Sequence, residues 1–392
     1  MRVLLTSVCA GALLVPAGLA QAQVSESGQV ETAPDSSQAP DEARRLGAVT
    51  VTATRRTQDI LDVPVAVSNI GAEQMERSGI SDVKQLTSIA PSLDITNTIG
   101  ESYGAVIRVR GIGTSGSNPG LESATGVYVD GVYYGSAIGA LQSLFDVEQV
   151  AVLKGPQGTL FGRNATGGLI QITTRKPSYD YTAPARFGYG NYDTASAAAY
   201  VSGGLAPTLA FSLSGQYENR GDGYGQNVFT GNDIQTDRTY SLRAKLLWEP
   251  GDTTSIVLSG DYFGREAADP AFVTFSRNSA GQYVPDVIKS LGGDPQRDIY
   301  ADFDPTLRGR QKGVSLSIDQ ELGGVNLRSI TAYRKTELRT YFDPDGTVAP
   351  RLRIDNNNRD KQFTQEIDLI SDNAGPFNWV IGGFYMKRSA GQ

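Results

Sequence analysis

Residues 145–177 read FDVEQVAVLKGPQGTLFGRNATGGLIQITTRKP. Two stretches in it, VEQVAVL and GLIQITT, have the length and the apolar, β-branched content of buried strands. Between and at the start of the second lie Gly155, Gly158, Gly162, Gly167 and Gly168. Glycine at that density suits a backbone that turns repeatedly through positive φ while packing closely against another wall. Toward the N-terminus the pattern stays mixed. VPVAVSNI at 63–70 alternates and reads as a strand, Gly71 to Met75 opens a short helix, and Ser81 to Leu86 begins a second that Pro91 ends. VIRVRGIG and GVYVDGVYY supply further strands. An α+β domain over residues 57–177 is the expectation.

Past Pro177 the texture changes to segments of about nine to twelve residues with dyad alternation, the length of a tilted membrane-crossing strand. About nine are legible, near 185–192, 195–203, 208–219, 238–248, 253–264, 310–322, 325–335, 360–371 and 377–388. Val314, Leu316 and Ile318 share one face against Ser315, Ser317 and Asp319. Leu242, Ala244, Leu246 and Trp248 oppose Arg243, Lys245 and Leu247. Tight connections at 206–208, 249–252 and 323–324 alternate with long ones at 220–237, 265–309 and 336–359, the rhythm of short periplasmic turns and long outer loops. A β-sandwich would also alternate along its strands, but its loops need not alternate in length.

Composition narrows the chemistry. The chain has 392 residues, no histidine and one cysteine, Cys9. Imidazole bases, Ser-His-Asp triads, thiolate or His-ligated metals and disulfides are therefore removed from consideration, and neither a catalytic site nor a metal site is expected. A net charge of −7 argues against a nucleic-acid partner. Beyond the first residues no apolar run is long enough for a spanning helix, so any membrane crossing must be made by β-strands.

Residues 1–22 have the basic start, apolar stretch and small-residue end of a cleavable export signal. Residues 23–46 are acidic, Ser- and Gln-rich and read as a disordered linker. After it Val49, Thr50, Val51, Thr52 and Ala53 form a β-branched run suited to adding a strand to a partner's sheet through main-chain hydrogen bonds, or to opening the next domain.

The run VLKGPQGTLFGRNATGG followed by TTRKP resembles the end of the plug domain of TonB-dependent outer-membrane receptors. The resemblance extends over VPVAVSNI, SDVKQLTSIAPSL, IRVRGIG and YVDGVYY. It implies a plug at 57–177 followed by an antiparallel transmembrane β-barrel, with 47–56 as the TonB box region and Val49 to Ala53 as the residues that contact TonB. Arg108, Arg110, Glu148, Lys154 and Arg163 become candidates for ion pairs that seat the plug on the barrel wall, and Gly111 joins the plug's turn glycines. The implied function is TonB-driven uptake across the outer membrane, with a ferric siderophore or similar iron complex as the external ligand and no resident cofactor. The family's barrel has about 22 strands, so residues 178–392 are expected to be its N-terminal part. A truncated plug and partial barrel that no longer transports, acting as a TonB decoy or a pseudogene product, is the alternative.

Other motifs compete. Residues 111–116, GIGTSG, fit GxGxxG after a strand, with Asp130 downstream as in a dinucleotide fingerprint, and leave a periplasmic NAD-binding protein as a distant alternative. Ser117 to Gly120 oppose the helix that fingerprint requires. The loop 155–163 lacks the spacing of a P-loop, and 343–346 and 355–358 read as a turn and a solvated loop rather than a calcium cage.

Overall fold

The computed structural model describes residues 50–51, 58–59, 65–80, 83–97, 105–114, 122–136, 145–268, 275, 277–278, 280–343, 347–371 and 377–392. The expected export signal and linker, Val49, Thr52, Ala53 and most of 97–104 and 111–120, the plug loops that the resemblance makes the ligand-facing apices, lie outside the described residues.

The first body is built on a five-stranded sheet. Its strands are β3 (Ala66–Gly71), β6 (Thr125–Val129), β7 (Val132–Tyr133), β8 (Val147–Lys154) and β9 (Gly168–Thr174), in the order β3-β8-β9-β6-β7. The two apolar runs of the opening stretch are neighbours in it, β8 antiparallel to β9, while β6 and β9 run parallel. Two short pairs precede or flank the sheet: β1 (Thr50–Val51) with β2 (Gln58–Asp59), and β4 (Leu93–Asn97) with β5 (Ala105–Val109). Helix α1 (Ala72–Arg77) buries Met75, and Val83–Ser88 forms a 3-10 helix. One core holds Ile70, Met75, Val83, Leu86, Val109, Val150, Val152 and Ile170; a second, around Leu153, Leu169 and Phe161, lies on the other face. The side chains of Val150 and Val152 point one way and those of Ala151 and Leu153 the other, so an apolar run without alternation is what a strand covered on both faces requires.

Glycine solves two local problems here. Gly168 has φ +144°, and a Cβ there would stand 2.4 Å from the Leu153 carbonyl, so a side chain would push β9 off β8. Asp130 and Gly131, with φ +48° and +79°, make the two-residue turn between β6 and β7. The stretch read as GVYVDGVYY is thus a hairpin.

The second body is a nine-stranded antiparallel sheet of the described strands, every neighbour consecutive in the chain apart from one small hairpin. Its strands are β10 (Ala185–Gly190), β11 (Thr194–Ala206), β12 (Leu209–Arg220), β15 (Asp237–Gly251), β16 (Thr254–Ala267), β17 (Thr306–Glu321), β18 (Val325–Phe342), β19 (Ile354–Ser371) and β20 (Val380–Gly391). The hairpin of β13 (Gly225–Asn227) and β14 (Asn232–Ile234) stands in the loop after β12, and helix α2 (Val284–Ser290) in the loop after β16. Each strand coincides with one of the nine periodic segments; several continue up to seven residues farther at the long-loop end, where the outward pattern turns polar. The first outer connection, 191–193, is short, an exception to the loop rhythm. The fold is the expected one, an α+β plug followed by an incomplete antiparallel sheet, with no pairing of β10 to β20.

The two faces of the sheet differ as the alternation requires. Leu242, Ala244, Leu246 and Trp248 are exposed, whereas Lys245 and Leu247 are buried and Arg243 half-buried. Along β19 the inward set Asn356, Asn358, Asp360, Gln362, Thr364, Glu366 and Asp368 is buried. A sheet that hides carboxylates and amides and exposes leucine is inverted relative to a water-soluble one, and it fits a wall with lipid outside and polar groups inside. Among the described residues no helix is long and apolar enough to cross a membrane, which says nothing about strands.

Candidate functional site

The plug sits against the polar face of the wall, and the contacts begin at the two ends of its closing strand pair. Asp146, just before β8, accepts from Arg243 Nη1 on β15 at 2.6 and 2.7 Å through its two carboxylate oxygens, and from Ser214 Oγ on β12 at 2.8 Å. The Arg243 and Asp146 side chains are 11 and 10% exposed. A pair this dry holds only because each charge faces the other and further donors share the carboxylate.

Two residues along β15, Lys245 enters the turn between β6 and β7. Its Nζ lies 2.9 Å from Asp130 Oδ2, and it also donates to the carbonyls of Thr174 and Arg175 at 3.4 and 3.3 Å. Asp130 is further held by the Thr174 amide at 2.8 Å and hydroxyl at 2.7 Å. Burial alone would favour its neutral form, but Lys245, Arg243 and the Thr174 amide outweigh that, and the carboxyl titrates below the ordinary aspartate value. The i, i+2 spacing of Arg243 and Lys245 puts both cations on the inner face of one strand, opposite anions from two different plug turns.

A second set of contacts secures the β7 end. Gln362 on β19 donates from Nε2 to the Tyr133 carbonyl at 2.6 Å and accepts from the Gly135 amide at 2.9 Å. A Cβ on Gly135 would stand 2.4 Å from that amide oxygen. Arg334 on β18 pairs with Asp261 on β16 at 2.9 and 2.6 Å, and its guanidinium lies 3.8 Å from the centre of the Tyr134 ring. Arg388 on β20 pairs with Asp360 at 2.5 Å and stands 3.9 Å from Glu122 of the plug. Apolar contact is limited: Ile330 and Ala332 of β18 join the plug's larger core, and Met386 touches the smaller one.

The seat therefore uses charged residues other than those expected. Arg108 donates to Asp94 at 3.0 Å and Thr96 at 2.8 Å, its cross-strand neighbours on β4, so its charge is met within the plug. Arg163 pairs with Glu122, also in the plug, and burial notwithstanding Arg163 and Asn164 draw the Glu122 carboxyl below its ordinary value. Arg110 occupies a turn at φ +53° rather than a strand face, and neither it, Glu148 nor Lys154 pairs with an opposite charge among the described residues. Across this interface the anions belong to the plug and the cations to the wall. A sequence signal existed, in the polar-face position of Arg243 and Lys245 and in the two aspartates at strand ends. Asp130, the acidic residue of the apparent dinucleotide fingerprint, is instead consumed by the seat.

The glycines divide by role. Gly111, Gly155, Gly162 and Gly168 have positive φ, whereas Gly158 begins a single helical turn, Gly158–Phe161. A Cβ on Gly167 would meet Ile112 at 2.9 Å, and one on Gly113 would meet the Ile107 carbonyl at 2.6 Å, so the first half of GIGTSG is glycine-rich for packing inside the plug. Of the residues expected to contact TonB only Thr50 and Val51 are described, paired with Asp59 and Gln58.

Residues 59–169 match the family model of the TonB-dependent Receptor Plug Domain. The Ferrioxamine B receptor of Salmonella typhimurium strain SL1344 is 30% identical over 212 residues, which are 53% of this chain and 28% of that receptor. The Vitamin B12 transporter BtuB of Vibrio vulnificus strain YJ016 is 28% identical over 213 residues, 54% of this chain and 34% of that transporter. The crystal structure of the ferric yersiniabactin uptake receptor FyuA from Yersinia pestis superposes with a TM-score of 0.69 at 21% identity, over 83% of this chain and 48% of that one, a likeness of fold. The chain thus spans about a third of the curated relatives' length and about half of the solved receptor. Over residues 59–169 the chain carries a plug domain whose sequence matches that of TonB-dependent receptors, cradled by a polar-faced sheet.

Proposed function

We propose that the chain serves TonB-dependent, ligand-gated uptake across the outer membrane, as the plug and adjoining wall of a receptor for a ferric siderophore or a similar iron complex. The observation that carries this reading is the seat itself. The plug has its own apolar cores, and it is held to the wall chiefly by hydrogen bonds and ion pairs, which can be exchanged for water when the chain is pulled. A permanently fixed domain would be expected to bury a continuous apolar interface instead. On this reading residues 1–22 direct export, 23–46 form the linker, 47–56 meet TonB, 57–177 are the plug and 178–392 belong to the barrel. The iron-complex assignment follows the ferrioxamine receptor, and the likeness to a vitamin B12 transporter makes cobalamin the competitor to test against it. The relatives are receptors and a transporter by name, and no catalytic role is proposed.

The handle is tested by placing a cysteine at Thr50 and cross-linking to TonB in cells. A cross-link formed in the outer-membrane fraction and reduced at least tenfold by Val51→Pro is expected, since proline removes a backbone donor from strand addition. No cross-link, or one indifferent to the proline, sinks the assignment. For the ligand, uptake of radiolabelled iron as ferrioxamine B by the receptor containing this chain, undiminished by excess cobalamin, is the expected result.

A further inference from the structure

The wall divides its charges by face. On β15 to β19, toward the long-loop end beyond Arg243, Arg334 and Gln362, the outward residues include Lys312, Lys335 and Lys361 side by side and then Arg308, Arg310 and Arg359. Over the same length the inward residues of these strands carry one cation among the described residues, Arg265. It is already committed, donating from Nε and Nη2 to Asp237 at 3.0 and 2.7 Å. Farther round the wall Arg220 donates to the Gln235 carbonyl at 3.1 Å, and Arg186 stands over the Phe145 ring of the plug. The second inward carboxylate of this stretch, Asp360, is met by Arg388.

Amides, hydroxyls and aliphatic carbon take the place of charge on this inner surface. Gln311, Thr336, Thr340, Asn356 and Asn358 share it with Ala267, Leu307 and Leu338, which form a small apolar cluster. Thr340 and Asn358 are diagonal neighbours across β18 and β19 and only 2 and 4% exposed. Neither Thr340 Oγ1 nor Asn358 Oδ1 has a hydrogen-bond partner among the described residues. Two buried oxygens left without donors on one face are costly, and they ask for N–H or O–H groups from outside the wall.

We propose that this inner face receives an uncharged or cationic iron(III) hydroxamate complex bearing amide N–H groups, and selects against anionic catecholate complexes. The inference rests on the iron-complex reading above and adds the charge class of the ligand. In a ferric trihydroxamate the singly charged hydroxamates balance the metal, whereas a ferric tris-catecholate remains a trianion. A trianion brought onto this face would find every inward cation already engaged and two carboxylates close by, so its desolvation would go uncompensated. A neutral complex needs no counter-charge. Its amide N–H groups can donate to Thr340 and Asn358, and its methylene spacers can lie on Leu307 and Leu338.

The test uses the receptor containing this chain, purified from outer membranes in a neutral detergent and titrated with uncharged ferrioxamine E, cationic ferrioxamine B, a trianionic ferric tris-catecholate and cobalamin. Both ferrioxamines are expected to bind at least about tenfold more tightly than the tris-catecholate, by a margin that widens as salt is lowered. The double variant Thr340→Val/Asn358→Leu should bind ferrioxamine E about tenfold more weakly, and Asn358→Lys should tighten the tris-catecholate by a similar factor. A tris-catecholate bound as tightly as the ferrioxamines overturns the inference while leaving the iron-complex reading intact. So does a double variant with circular dichroism like wild type and undiminished affinity for ferrioxamine E. Binding of cobalamin with no binding of any iron complex overturns both.

Discussion

Arg243 shows how the seat depends on single side chains. With its guanidinium gone, Asp146 would keep one hydroxyl donor in a nearly dry site, and such unpaired buried charges cost about 3–5 kcal/mol. Arg243→Ala should therefore loosen the plug without unfolding the wall, read as faster amide exchange of β8 and β9 with β16 to β19 unchanged. Asp130 adds a pH dependence. Its folded carboxyl is held below the ordinary value, so its contribution is complete above about pH 4, where the unfolded group is also ionised, and is lost as pH falls through the folded value. Plug protection measured down an acid series should fall in wild type and fall less in Asp130→Asn, which starts weaker at neutral pH. An identical acid limb in both proteins would show that Asp130 does not govern it. The polar-face position of Arg243 and Lys245 was legible in the sequence, but which anions they meet was not. Arg108 and Arg163 are as charged as Arg243, and what separates them is that their own plug neighbours, Asp94 and Glu122, reach them first.

At the scale of elements the wall was far more legible than the plug. A strand with one apolar and one polar face records its orientation in every second residue, which is why the faces of β15 and β17 could be read from Leu242 to Trp248 and from Val314 to Asp319. The plug's buried strands lack that record, and its short elements depend on local detail: Asp130 and Gly131 turn what reads as one strand into a hairpin, and Val83–Ser88 winds as a 3-10 helix rather than an α-helix. The upper ends of β17 to β19 were also missed, because beyond the apolar band the outward residues become Arg and Lys and the alternation disappears. Leu316→Arg should cost about 2–4 kcal/mol in a bilayer, measured by denaturant unfolding in vesicles, and much less in detergent. Gly168→Ala should destabilise the plug by more than about 1 kcal/mol, since it combines strained φ with a clash on Leu153.

For the molecule as a whole, two bodies with opposite rules share one chain. The plug buries its apolar strands as any globular domain does, and the wall exposes its leucines and hides its carboxylates. They meet through Asp146, Asp130 and the β7 end, so the wall's polar face is filled by the plug and its apolar face is left for lipid. The most direct measurement is a cysteine scan along β15 in cells, helped by the presence of a single cysteine, Cys9, in these 392 residues. Cysteines at Leu242, Ala244 and Leu246 should react with a lipid-soluble maleimide and resist a water-soluble one, whereas cysteines at Arg243 and Lys245 should resist the lipid-soluble reagent and gain water access when the plug is displaced. Water-soluble labelling of both faces alike would contradict a membrane wall with a plug seated inside it.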